Sequence, residues 1–355
     1  MLHTAPAFTP PTTWSGEARL RAALAHQQPD RTPVWFMRQA GRCLADYRKL
    51  REEYPILTLA KTPALCAEVT VMPVDAFGVD AAVLFADIML PLEPMGVSLE
   101  IQPEVGPIIH APIRSRADVG RLRVIEPESE VGFVMEAIRL VRRELNGRTA
   151  VIGFSGSPFT LACYLVEGRP SRDYAIAKAF MYRQPDAWHE LMEKLSAVVI
   201  RYLNAQIDAG VHVVQLFDSW VGGLSPADYA TYVKPHVARI FSEVRGAPTI
   251  HFGTGTAALL EEMADAGGDL IGVDHRQPLD DAWQRVGLER GIQGNLDATR
   301  ILAGEQPMAD GARDVLRRAG NRPGHIFNLG HGVLPDSDPG LLRALVELVH
   351  AESAR

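Results

Sequence analysis

Short runs rich in Val, Ile and Phe recur along the chain, separated by longer stretches with helical periodicity. This is the alternation expected of βα units in a parallel sheet. Eight such runs are present, at residues 32–37, 81–85, 150–154, 211–217, 248–252, 270–273, 291–294 and 325–328. Most are continuously apolar, as a strand covered on both faces must be. The helical stretches carry start and stop signals. Thr62-Pro63 opens one, Asn146-Gly147 closes another, and Ser225-Pro226 and Gly267-Gly268 bracket others. A first helix is expected within 15–27. Residues 98–110 depart from the rule, because their alternation and Pro/Gly content predict a hairpin inserted after the second strand.

Eight βα units in one chain predict an α/β fold, a single (β/α)8 TIM barrel. A doubly wound open sheet is the alternative, since no sequence pattern proves closure. No repeat, low-complexity tract or linker divides the chain, so residues 15–355 read as one catalytic domain behind a flexible terminus, 1–14, that carries Pro6, Pro10 and Pro11.

The composition, 47% hydrophobic and 22% charged, fits a globular protein with a large core. A net charge of -7 and the absence of a long Lys/Arg run argue against a nucleic-acid partner and favour a small molecule. Cys43, Cys66 and Cys163 are widely spaced with no C-x-x-C pair, which suits free thiols in a reducing cytoplasm. Residues 1–11 lack a charged region followed by an apolar run. With no stretch of ~18 apolar residues, neither export nor a membrane span is expected.

In a barrel the site lies at the C-terminal ends of the strands. There the sequence is strongly polar: Arg38-Gln39, Asp87, Ser155-Gly156-Ser157, Asp218-Ser219, Gly253-Thr254-Gly255, Asp274-His275, Asn295-Leu296-Asp297 and Gly330-His331-Gly332. Ser, Asp, Asn and Gly are also ordinary caps and turn formers, and that reading is preferred for Ser155, Ser157, Asp274 and Asp297. Arg is not a favoured cap. Arg38, Arg42, Arg48, Lys49 and Arg51 fall within one short segment and either form a solvated face balanced by Asp46, Glu52 and Glu53 or clamp an anion. With no G-x-x-x-x-G-K-[ST] or G-x-G-x-x-G, a polycarboxylate is preferred to a phosphate.

The words P-V-W-F-M-R-Q-A-G-R (33–42), F-A-D-I (85–88), G-F-S-G-S-P-F-T-L-A-C-Y-L-V-E-G (153–168), L-F-D-S (216–219), H-F-G-T-G (251–255), G-N-L-D (294–297) and N-L-G-H-G (328–332) follow in order over residues 31–336. In these words the chain resembles the uroporphyrinogen decarboxylases. The resemblance implies decarboxylation of the acetate arms of uroporphyrinogen to give coproporphyrinogen in haem biosynthesis, by a homodimeric TIM barrel with no metal or organic cofactor. It implies a substrate site of Met37, Arg38, Gln39, Ala40, Gly41, Arg42, Arg51, Asp87, Tyr164, Phe217, Ser219 and His331. Within it, Arg38, Arg42 and Arg51 would hold carboxylates and Asp87 the pyrrole nitrogens, Tyr164, Ser219 and His331 would surround the substrate, and Met37 and Phe217 would form an apolar wall. Asp87, Arg38, Tyr164 and His331 are the expected catalytic residues. The chain departs from the family's usual pattern at Cys43, where Tyr is common, and at Ala45, where Pro is common, so the stiffness of the loop is affected and its arginines are not.

Two rival readings make distinct demands. A methyltransferase of the same superfamily would bind zinc through an H-x-C pair and a later Cys, but His251-Phe252-Gly253 lacks that thiol and no Cys follows Cys163. A tetrapyrrole carrier without catalysis would keep the arginines and have no need of Asp87.

Overall fold

The computed structural model describes residues 11–102 and 105–355. Seven strands form one parallel sheet: β1 (Ala81–Val83), β4 (Ala150–Gly156), β5 (Val213–Asp218), β6 (Thr249–Gly253), β7 (Leu270–Gly272), β8 (Gly291–Gln293) and β9 (His325–Ile326), hydrogen-bonded in that order. Two further strands, β2 (Leu99–Gln102) and β3 (Gly106–Ile109), pair antiparallel with Leu99 opposite Ile109. Residues 103 and 104 of the expected hairpin lie outside the described residues, as do 1–10 of the expected flexible terminus.

The curled sheet separates two apolar layers. Trp35, Met37, Val83, Ile152, Val213, Ile250, Phe252 and Ile326 cluster on its inner side, with Phe154 and Phe217 packed against them. The other faces of the strands meet the helices in a larger core that includes Val151, Val214, Leu216 and Ile271. Burial on both sides is why these strands read as continuous apolar runs.

The helix signals are realised where side chains or backbone geometry satisfy the free helix ends. Ser15 caps Gly16–Leu24 by accepting from the Ala18 N–H, and Ser225 caps Pro226–Tyr232 through the Asp228 N–H. Pro63 occupies the first turn of Pro63–Phe77, and Asn146 ends Gly132–Leu145 in the left-handed conformation.

One expected strand needs correction. Residues 32–37 form no strand, and only Val34 makes an isolated parallel bridge, to Phe327. Pro33 has no N–H to offer a ladder. The Phe36 N–H is taken by Gln39 Oε1 (3.0 Å) and the Met37 N–H by Asn328 Oδ1 (3.2 Å), so side chains replace strand pairing. The segment is still tied on both flanks. Phe327 N donates to Pro33 O at 2.9 Å, and Asp80 N donates to Val34 O at 2.8 Å. The Asp80 carboxylate then accepts from the Val34 N–H (2.8 Å), Arg19 (3.1 Å) and His350 Nε2 (2.7 Å), joining the first helix, the segment before β1 and the last helix.

Candidate functional site

Arg38 follows directly on the Val34 bridge and adopts a φ of +57°, a conformation that L residues rarely hold. Its aliphatic stem lies over Gly332, where an added Cβ would come within 2.5 Å of Arg38 Cδ. The backbone around it is tightly fixed. Val333 N donates to Met37 O at 2.8 Å, and Asn328 Oδ1 accepts from both Met37 N and Leu329 N. The R-Q-A-G-R and N-L-G-H-G words are thus two halves of one structure, in which Asn328 and Gly332 shape the arginine's seat.

The turn from Gly41 to Leu44 closes with Leu44 N donating to Gly41 O at 3.0 Å, leaving Arg42 exposed. Arg48 reaches back to the carbonyls of Arg42 (2.7 Å) and Cys43 (3.1 Å), stapling the loop. Cys43 is buried and Ala45 begins the helix Ala45–Glu53. Two of the expected substrate-site side chains are engaged by the protein itself. Gln39 is fully buried, accepting from Phe36 N and donating to Ala81 O at 2.9 Å. Arg51 donates to the carbonyl of Tyr54 and stands beside the Tyr47 hydroxyl, folded onto its own helix end.

Asp87 lies just past β1, half-buried, with Oδ1 accepting from Met89 N at 2.8 Å. One oxygen therefore does cap a turn; Oδ2 has no protein hydrogen bond among the described residues. Burial pushes the carboxyl above its usual range, opposed by the Met89 N–H and the Arg38 charge. Arg38 is close enough to act on Asp87 but makes no ion pair with it. Tyr164, from the helix Pro158–Glu167, is half-buried beside the same two groups. Burial and the Asp87 charge push its hydroxyl up to about 12 against the pull of Arg38. His331 is lowered by burial and by Arg38, His275 and Arg276, and so is neutral near pH 7.

Ser219 follows β5, and its carbonyl accepts from Thr254 Oγ1 at 2.6 Å, joining two strand ends. Phe217 meets Phe154 and Phe252 edge-on, with centroids 5.4 and 5.8 Å apart, above the inner layer that contains Met37. The site thus has an apolar floor and a polar rim.

The sequence-predicted residues separate by their commitments. The guanidiniums of Arg38 and Arg42, the Tyr164 hydroxyl, Ser219 Oγ and the His331 ring have no protein hydrogen-bond partner among the described residues. Asp274, preferred as a structural residue, spends its carboxylate on Gly255 N (2.6 Å) and Arg276 (2.7 Å). Asp297 likewise caps Thr299. His251 is fully buried on the helix side of the sheet, facing Met263 O at 3.3 Å and Asp218 at 3.5 Å. Among the described residues no three His, Cys, Asp or Glu side chains converge as metal ligands would. No described helix is long and apolar enough to cross a membrane.

The family model described as "Uroporphyrinogen decarboxylase (URO-D)" matches residues 15–352. The chain is 54% identical to the uroporphyrinogen decarboxylase of Sorangium cellulosum, over 94% of this chain and 96% of that protein. It is 51% identical to that of Streptomyces coelicolor, over 99% and 98% respectively. Among solved structures, a methyltransferase from Methanosarcina mazei superposes with a TM-score of 0.81 over 96% of this chain and 99% of that one. At 20% identity, this is a likeness of fold alone.

Proposed function

The chain belongs to the uroporphyrinogen decarboxylase family, and from that premise we propose that it removes CO2 from the acetate arms of uroporphyrinogen to give coproporphyrinogen, with Asp87 stabilising the charge that makes each decarboxylation possible. The observation that carries the assignment to Asp87 is a half-buried carboxylate with one oxygen uncommitted among the described residues, within reach of the Arg38 guanidinium, which pairs with no carboxylate among those residues.

Loss of CO2 leaves an electron pair that needs a sink. A pyrrole protonated on a ring carbon becomes iminium-like and accepts that pair. A second proton then converts the exocyclic carbon to methyl as the ring returns its own, so each acetate consumes one proton and releases one CO2. Asp87 accepts hydrogen bonds from the pyrrole N–H groups and faces the developing cation. About 4 kcal/mol of stabilisation selective for that cation would give roughly a thousandfold in rate.

Arg38 and Arg42, both exposed, hold substrate carboxylates through charge-assisted contacts that strengthen as the substrate covers them and excludes water. Arg38 grips and orients a carboxylate and is not assigned the proton transfer. Tyr164 keeps its hydroxyl proton and donates a hydrogen bond, neutral His331 and Ser219 complete the rim, and Phe217 and Met37 lie under the macrocycle. Ala40 and Gly41 let the loop approach closely. Gln39 and Arg51 act as supports for that loop.

The eight-stave closed barrel is part of this proposal, with residues 32–37 as a stave between β9 and β1. The bonds of Val34 and its neighbours to Phe327 and Asp80 support it. A single domain over 15–355, with the β2–β3 pair as an insertion, is part of the same proposal. Free buried Cys43, Cys66 and Cys163 support action in a reducing cytoplasm, and the family resemblance supports a homodimer.

Purified protein, with oxygen excluded and no metal added, is expected to yield coproporphyrinogen with partly decarboxylated intermediates on chromatography. Stoichiometric bound zinc with no product would return the methyltransferase reading. Stoichiometric tetrapyrrole binding without turnover would return the carrier.

A further inference from the structure

Tyr164 is covered on one side by a stack of rings drawn from separate elements. Its centroid lies 4.2 Å from that of Trp220, and Trp220 lies 4.8 Å from Tyr174 with 24° between the planes. Tyr174 in turn meets the fully buried Phe159 edge-on at 6.5 Å, and Phe159 meets Trp188 at 6.0 Å, so the stack is rooted in the core. Trp220 follows directly on Ser219, and its backbone has little freedom. Thr254 Oγ1 grips Ser219 O at 2.6 Å, Gly223 N donates to Trp220 O at 3.1 Å, and a Cβ on Gly222 would fall 2.3 Å from Thr254 O.

A ring held in this way restricts its neighbour. The hydroxyl of Tyr164 makes no protein hydrogen bond among the described residues, so nothing at its polar end fixes it before a ligand arrives. What borders the ring is the indole, 4.2 Å away and inclined to it at 40°, and an aromatic wall this close limits how far the phenol can swing toward it.

We propose that Trp220 is a positioning residue, which holds the Tyr164 ring so that its hydroxyl stays beside Asp87 and Arg38 and is aimed at the bound tetrapyrrole. This rests on the reading of Tyr164 as a substrate-facing residue. Trp220 contributes a flat, weakly mobile surface and takes no part in proton transfer. Trp220→Phe retains a ring and is expected to keep most activity.

The test is a double-mutant cycle in anaerobic decarboxylation of uroporphyrinogen, with thermal melting run on every variant. Trp220→Ala is expected to lower kcat about tenfold with KM little changed, the scale of a misplaced catalytic group. In a Tyr164→Phe background, which removes the hydroxyl and keeps the ring, the same change is expected to cost less than about twofold, since the hydroxyl it positions is gone. Equal losses in both backgrounds, or a kcat loss that follows only a lowered melting point, would overturn the proposal and leave Tyr164 in its role. Full activity of Tyr164→Phe alone would remove Tyr164 from the site, and the role of Trp220 with it.

Discussion

Arg38 holds a left-handed backbone conformation that costs a non-glycine residue roughly 1–2 kcal/mol, and the fold sustains it because Gly332 leaves room for the side chain above it. Gly332→Ala is therefore expected to displace the guanidinium and raise KM at least tenfold while melting close to wild type. An unchanged KM would show that the seat is not needed. The charge balance at Asp87 makes a second prediction. Burial raises its pKa and Arg38 lowers it, so activity should fall as pH drops through a value above the ordinary carboxylate range, where Asp87 becomes neutral. Removing the Arg38 charge lets that pKa rise further. The residual activity of Arg38→Ala should show its acidic limb at higher pH than wild type, and a limb that stays in place would separate the two groups. Arg38 and Asp87 each stand after an apolar run in the sequence, and the fold sets them close enough for the Arg38 charge to act on Asp87. The inward turn of Gln39 was not legible in the sequence, because its partners, Phe36 N and Ala81 O, come together only in the folded chain. Arg51 reads in the sequence as one more cation of its segment, and in the fold it donates to the carbonyl of Tyr54 at its own helix end.

At the scale of elements, apolar continuity located the strands well and their ends less well. The run at 81–85 is strand only through Val83, because the Phe85 N–H is taken by Thr70 Oγ1 at 2.9 Å. The segment 32–37 failed as a strand for the same kind of reason, with the side chains of Gln39 and Asn328 substituting for a ladder. Such substitution depends on residues far apart in sequence, and hydrophobic periodicity carries no sign of it. The segment is instead held by Asp80, which has three partners from three elements. Removing this buried carboxylate takes away the partner of the Val34 N–H and of His350, while Arg19 keeps its ion pair with Asp30 at 2.7 Å. Asp80→Ala is expected to lower unfolding stability by about 3 kcal/mol, read by urea denaturation, and to weaken activity through the Arg38 segment. A loss below ~1 kcal/mol would mean that the segment is held elsewhere.

Across the whole molecule, the sheet brings together at one end groups that are distant in the chain: Arg38 before β1, Asp87 after it, Tyr164 beyond β4, Ser219 after β5 and His331 after β9. The sequence words supplied the identity of these groups, and the parallel order of the strands explains their meeting. The fold alone is shared with a methyltransferase, so function rests on the site and on the family. The central claim is that Asp87 supplies charge to the reaction and little to binding. Its most direct test compares wild type with Asp87→Asn in anaerobic decarboxylation of uroporphyrinogen, with substrate affinity and melting temperature measured on the same samples. The carboxamide can still accept the Met89 N–H, and burial penalises the charged form, so the variant should melt no lower than wild type. The account predicts near-unchanged affinity with kcat lowered about a thousandfold or more. Turnover within about tenfold of wild type by a folded, substrate-binding Asp87→Asn would contradict it.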